Sequence, residues 1–222
     1  VNFYDGQGFM VPKSLNVTSA KQLRGATVCV QSGTTTELNL TDYSRANNLN
    51  IRPVVFEKLE ASTQAYFAGR CQAYTTDASG LASIRSKEAQ KPEDHVILPE
   101  LISKEPLGPS IRRGDDELFA IAKWTLNALL EAEEYGITQA NVDQMKRDSK
   151  NPGVMRLLGG GTEDTGKVLG LDKDWAYRAI KAVGNYGEKF ERHVGPNTPI
   201  GLPRGANALW TNGGLMYAPP VR

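Results

Sequence analysis

The sequence predicts an α/β fold: a sheet of parallel strands covered by helices, followed by a helical C-terminal part. Three observations carry this expectation. Between residues 27 and 98, short runs rich in β-branched residues alternate with helix-compatible stretches. Such alternation through short loops is the pattern of a parallel sheet with helices on both faces. Beyond a Gly- and Pro-punctuated passage, Pro106 to Ile111, strand-like runs almost cease and helical spacing takes over. Finally, two polar loops, Gln31 to Thr36 and Thr75 to Gly80, each follow a strand. They therefore sit at the carboxyl edge of the sheet, where helix N-termini point and ligands collect.

Taken in order, Val1 to Lys13 reads as an extended approach in which Phe9-Met10-Val11 supplies a short apolar strand ended by Pro12. Ser14 to Gly25 is a connector with a short helix at Ser19 to Leu23. Strand Thr27 to Val30 leads into helix Thr34 to Asn47, strand Arg52 to Phe56 into helix Leu59 to Ala68, and strand Cys71 to Thr75 into helix Asp77 to Ser86. A strand at Val96 to Leu98 closes the series. Pro106 to Ile111 and the turn Arg112 to Asp116 read as a passage between domains rather than sheet interior. Helix Asp116 to Glu134 places Leu118, Ile121, Ala122, Trp124, Thr125 and Leu129 near helical spacing. Tyr135 to Thr138 ends it, helix Gln139 to Arg147 follows, Gly159-Gly160-Gly161 breaks the chain, and one helix is expected from Asp172 to Phe190. This C-terminal part has little sheet of its own to cover. It either forms a separate bundle or packs on a sheet contributed by a preceding piece.

Composition removes several function classes. At 222 residues the chain has room for one large domain or two small ones, and 40% hydrophobic with 23% charged residues is ordinary for a globular protein. A net charge of +1 without any basic block gives no nucleic-acid footprint and no membrane-surface patch. No apolar run approaches the ~18 residues of a membrane span. The chain starts Val1-Asn2-Phe3 without an initiator Met or signal-like segment, so the expectation is a processed or excised piece. His95 and His193 lie far apart with no ligand spacing around them, so neither a metal nor another cofactor is expected. Cys29 and Cys71 occupy corresponding points of two strand-like runs. Two readings stand: a disulfide if those strands are neighbours, or two buried free thiols.

Two features carry chemistry. In Ala26 to Asp42 a strand passes through Ser32-Gly33 into Thr34-Thr35-Thr36-Glu37. The first N–H groups of a helix lack partners and carry partial positive charge, so a carboxylate can rest there without a basic side chain. Thr34 with Glu37 fits a capping box, and the threonines then serve either as caps alone or as caps and donors to a ligand. Asp77, between a strand and a helix, is either an N-cap or a receptor for a cation such as an ammonium. The two loops are complementary, and together they describe half a site for a zwitterion.

The segments Gly25 to Glu37, Gly69 to Asp77 and Leu107 to Leu118 resemble the polar amino-acid-binding proteins of bacterial ABC importers, and the long C-terminal extension is similar to their general L-amino-acid-binding members. The resemblance implies a two-lobed, type II periplasmic binding protein fold. It places the first crossover at 1–13, a complete βα lobe at 14–105, the second crossover at 106–114, and the helical C-terminal part of the other lobe with its extension at 115–222. It assigns Thr34 and Thr35 to the substrate α-carboxylate, Asp77 to the α-ammonium, and Gln31 and Thr76 to positions near the substrate side chain. It implies no catalytic residue, a free L-amino acid as ligand, a membrane permease as partner and the periplasm as location. Family members have a first segment, absent here, that forms most of one lobe and brings an arginine for the carboxylate. The expectation is therefore weak binding by this chain alone and self-association through Leu118, Ile121, Trp124 and Leu129. Two alternatives share the fold: a prephenate-type (cyclohexadienyl) dehydratase, which needs an acid or base beside the bound acid, and the ligand-binding domain of a sensory receptor. A thiol enzyme is disfavoured, because neither cysteine has a histidine or helix N-terminus nearby.

Overall fold

The computed structural model describes residues 1–221. The chain divides into two compact units, the first Phe3–Leu107 with Val1 and the second Gly108–Arg222 with Asn2. The division falls inside residues 106–114, where the sequence places a passage between domains.

Unit 1 contains seven strands: β1 (Phe3–Asp5), β2 (Gln7–Pro12), β3 (Thr27–Gln31), β4 (Arg52–Phe56), β5 (Ala73–Asp77), β6 (His95–Ile97) and β7 (Glu105–Leu107). Three helices join them: α1 (Thr35–Ala46), α2 (Leu59–Phe67) and α3 (Ala78–Glu88). Five strands form one sheet in the order β4-β3-β5-β2-β6, and β1 with β7 makes a separate two-stranded ribbon. β3 runs parallel to β4 and β5, whereas β2 is antiparallel to both β5 and β6. The sheet is thus mixed, which corrects the all-parallel expectation. The reason is visible in β2: Gln7 to Val11 are all buried, so the short strand expected at Phe9 to Val11 starts two residues earlier and is an interior strand of the sheet.

Alternation along the strands sorts two cores. Val28, Val30, Phe9, Val11 and Ala73 face Leu40 of α1 and Leu23. Cys29, Met10 and Tyr74 point the other way, onto Ala65 and Tyr66 of α2 and Leu81 and Ile84 of α3. Helices therefore cover both faces, as alternation of strand and helix requires. On the α2 and α3 side Cys29 and Cys71 form a disulfide with Cα atoms 5.6 Å apart, which decides between the two readings of the thiols. β5 starts two residues later than expected, so Cys71 precedes the strand and Asp77 becomes its last residue.

Unit 2 is helical: α4 (Asp116–Glu134), α5 (Val142–Asp148), α6 (Pro152–Leu157), α7 (Trp175–Val183) and α8 (Tyr186–His193). The expected single helix from 172 to 190 is two, because Gly184 adopts φ +78° and Asn185 then opens a new helix through a capping box with Glu188. α6, α7 and α8 pack on α4, whose stretch Asn127–Ala132 is buried. Leu129 is in this core, which corrects its expected exposure, while Leu118 and Phe119 in the first turns are about half exposed, at 49% and 56%. The tail is strapped to α4. Arg204 pairs with Glu133 at 3.0 Å and stacks on Tyr186 and Phe190, and the Val221 N–H donates to buried Glu131 at 2.9 Å.

Candidate functional site

The carboxyl ends of β3 and β5 carry both singled-out loops, and these strands are neighbours. Val28 lies beside Ala73 and Cys29 beside Tyr74. The same parallel register carried two residues on sets Gln31 level with Thr76, one strand spacing (about 4.8 Å) away. Gln31, Thr34, Thr35, Thr76 and Asp77 are therefore gathered at one edge of one sheet.

On the β3 side Gly33 adopts φ +69°, a conformation open to glycine at little cost, and turns the chain into α1. Thr34 is the N-cap. Its hydroxyl donates to the Gln31 carbonyl at 2.8 Å and accepts from the Glu37 N–H at 3.3 Å. The Glu37 carboxylate reaches back one residue beyond a regular capping box, accepting from the Gly33 N–H at 2.9 Å. The Thr34 hydroxyl is thus occupied in shaping the turn. The N–H groups of Thr35 and Thr36 precede the first intrahelical bond and have no acceptor within α1, and Thr35 is exposed. Ser32 N–H donates to the Phe56 carbonyl and Gln31 Nε2 to the Glu57 carbonyl, which fixes the turn against the end of β4.

On the β5 side Asp77 occupies the N-cap position of α3 but makes no capping hydrogen bond. Asp5, from β1, does that work: its Oδ2 accepts from the Ser79 N–H at 3.2 Å, and the Gly6 carbonyl accepts from the Ala78 N–H at 2.9 Å. Asp77 is left half-buried and without a cap to satisfy. Its pKa is raised above the usual carboxylate value, first by burial and then by the charges of Asp5 and Glu105. Asp5 and Glu105 are directly paired across the β1–β7 ribbon, and Ser103 holds Glu105 by donating to its carboxylate at 2.7 Å. This is an environment that a cation relieves.

Sequence reasoning missed Gln7, Asp5 and Glu105. Gln7 is fully buried and lies opposite Asp77 in the β2–β5 register, so the two side chains share a face. Its Nε2 donates to the Thr36 carbonyl at 3.0 Å and to Thr75 Oγ1 at 2.9 Å, while its Oε1 is buried without a partner among the described residues. A Gln flanked by two glycines, Gly6-Gln7-Gly8, reads as loop. Its only advance signal is that it begins an apolar run at strand spacing. His95 lies on the other face of the sheet, its Nδ1 2.8 Å from the Tyr66 hydroxyl, so it is no acid or base for these loops. Among the described residues no cluster of three or more His, Cys, Asp or Glu could hold a metal ion, and no helix is long and apolar enough to cross a membrane.

No protein-family model matches the chain. Individual relatives do, over its full length. It is 60% identical to the general L-amino acid-binding periplasmic protein AapJ of Rhizobium johnstonii and covers 65% of that protein. It is 57% identical to the glutamate/glutamine/aspartate/asparagine-binding protein BztA of Rhodobacter capsulatus, again covering 65%. The chain thus spans a little under two thirds of the length of these relatives. Among solved structures, a periplasmic binding protein of an ABC transporter from Brucella ovis, with glutathione bound, superposes with a TM-score of 0.94 at 56% identity. The match covers all of this chain and 70% of that one. With these identities added to the fold, the chain belongs to the periplasmic binding proteins of ABC transporters.

Proposed function

We propose that the protein captures free L-amino acids for an importer, and that unit 1 holds the ligand by its two charged groups. In this reading the α-carboxylate rests on the first N–H groups of α1 and the Thr35 hydroxyl, with Thr34 contributing the shape of the turn. The α-ammonium sits against Asp77, and Gln31 and Thr76 border the side chain. The observation that carries it is Asp77, a half-buried carboxylate at a helix start whose capping task has been taken by Asp5. It lies at the same sheet edge as an anion receptor on the adjacent strand. A group in that position with no structural duty is best explained by a ligand.

The reading extends to the periplasm as location and to an ABC permease as the membrane partner, supported by the names of the relatives. It assigns no catalysis. A dehydratase has no support, since His95 faces the opposite side of the sheet. A second ligand class is favoured by the glutathione-bound neighbour. Glutathione carries a γ-linked glutamyl group whose α-carboxylate and α-ammonium are free, so the same two receptors fit it.

On unit 1 Thr35 is exposed and Asp77 only half-buried, so the 222-residue chain is expected to bind weakly, at roughly millimolar affinity. Titration of the ¹⁵N-labelled chain with L-glutamine and with glutathione tests this. The amide signals of Thr35, Thr36 and Asp77 should move together with one dissociation constant. Saturation without movement at these residues overturns the site assignment, and submicromolar affinity overturns the half-site account.

A further inference from the structure

We propose that Gln7 is a positioning residue that sets the distance between the carboxylate receptor and the ammonium receptor. The inference rests on the reading of those two loops as one amino-acid site. Gln7 lies in β2, outside both loops, yet its single Nε2 reaches each of them: 3.0 Å to the Thr36 carbonyl in the first turn of α1 and 2.9 Å to Thr75 Oγ1 in β5. Thr75 Oγ1 in turn donates to the Gly8 carbonyl at 2.7 Å, which ties the bridge back to Gln7's own strand. Gln7, Thr36, Thr75 and Asp77 lie on the α1 face, because Gln7 and Asp77 are directly opposed and Thr75 is two residues from Asp77.

A burial argument supports a role beyond stability. Leaving a buried carbonyl without a partner carries a penalty, and the Gln7 Oε1 is in that state. A leucine or methionine would fill the same interior space without it. What the apolar residue could not do is donate two hydrogen bonds at once, and those two bonds tie the first turn of α1 and Thr75 of β5 to a single side chain. Loss of the bridge frees the start of α1 to shift relative to Asp77. Either receptor can still meet its own charge. A ligand carrying both charges at fixed spacing no longer finds both in place.

The test compares one-headed and two-headed ligands. L-glutamine, glutaramate (the same molecule without its α-ammonium) and 4-aminobutanamide (without its α-carboxylate) are titrated by NMR into the 222-residue chain. The chain is used as wild type, Gln7→Met, Thr75→Val and the double variant, with thermal melts confirming that each variant is folded. In the wild type, L-glutamine should bind more tightly than either one-headed analogue. Gln7→Met should cut that preference roughly five- to tenfold with little change for the analogues. Thr75→Val should do the same, and the double variant should lose no more than the single ones. Retention of the full preference by folded Gln7→Met overturns the positioning role, as does an equal loss for all three ligands. A wild type that never prefers L-glutamine overturns the underlying site instead.

Discussion

Replacing Asp77 by Asn removes one charge while keeping the shape of the side chain, and two effects of opposite sign should follow. The first is on ligand capture. A charge-assisted bond between an ammonium and a half-buried carboxylate contributes about 1.5–3 kcal/mol, so the variant should bind L-glutamine about 10- to 150-fold more weakly. The second is on folding. Burial, Asp5 and Glu105 all raise the pKa of Asp77, so the folded chain favours its protonated form. Ionisation then costs stability as pH rises from the unfolded-chain value through the higher folded one, and Asn escapes that cost. Because the group is only half-buried and partly screened by solvent, the gain should be a few tenths to about 1 kcal/mol at neutral pH. It should vanish at about pH 3, where the carboxyl is protonated in both states. Urea denaturation at the two pH values, paired with the ligand titration, reads both effects. A variant that is less stable at neutral pH would show Asp77 to be a structural group, and unchanged affinity would remove it from the site. Gain of stability with loss of binding is the signature of a residue kept for its ligand.

Two further outcomes are expected. Reducing the Cys29–Cys71 bridge, whose sequence separation is 42, releases a loop whose closure entropy is about 4 kcal/mol in the chain-entropy treatment. Urea midpoints with and without reductant should differ accordingly, and a shift below about 1 kcal/mol would mean that the unfolded chain is already compact there. The first turns of α4 expose Leu118 and Phe119, and in the turn Lys167–Leu169, which packs on α4, Val168 is 86% exposed. Light scattering should show association that grows with protein concentration and is reduced in Leu118→Ser/Phe119→Ser. A monomer at all concentrations would refute this.

Much of unit 1 was legible because the central strands announce themselves, whereas the ribbon strands Phe3–Asp5 and Glu105–Leu107 do not. Thr27 to Val30 and Arg52 to Phe56 are β-branched runs with a helix start after them, and the observed elements fall within a residue or so. The Thr34 and Glu37 pair was read correctly in kind, although Glu37 reaches Gly33 rather than Thr34. The limits were set by long-range pairing. Nothing local says that Gln7 to Val11 will be inserted between β5 and β6, and that insertion makes the sheet mixed and brings Gln7 to Asp77. Nor can a sequence say which carboxylate caps α3, since Asp5 and Ser79 are 74 residues apart in the chain. In unit 2 the division of 172–190 was concealed by good helical spacing on both sides of Gly184, whose backbone conformation only the fold reveals.

The capping of α3 by Asp5 has a mechanical side. Asp5 belongs to the two-stranded ribbon through which the chain leaves unit 1, and its partner across that ribbon is Glu105. These are the two charges that act on Asp77. Neutralising Asp77 with a bound cation therefore relaxes a strain of like charges held in the exit ribbon itself. The charge of the proposed ammonium receptor is thereby coupled to two carboxylates that belong to the ribbon and not to its own loop.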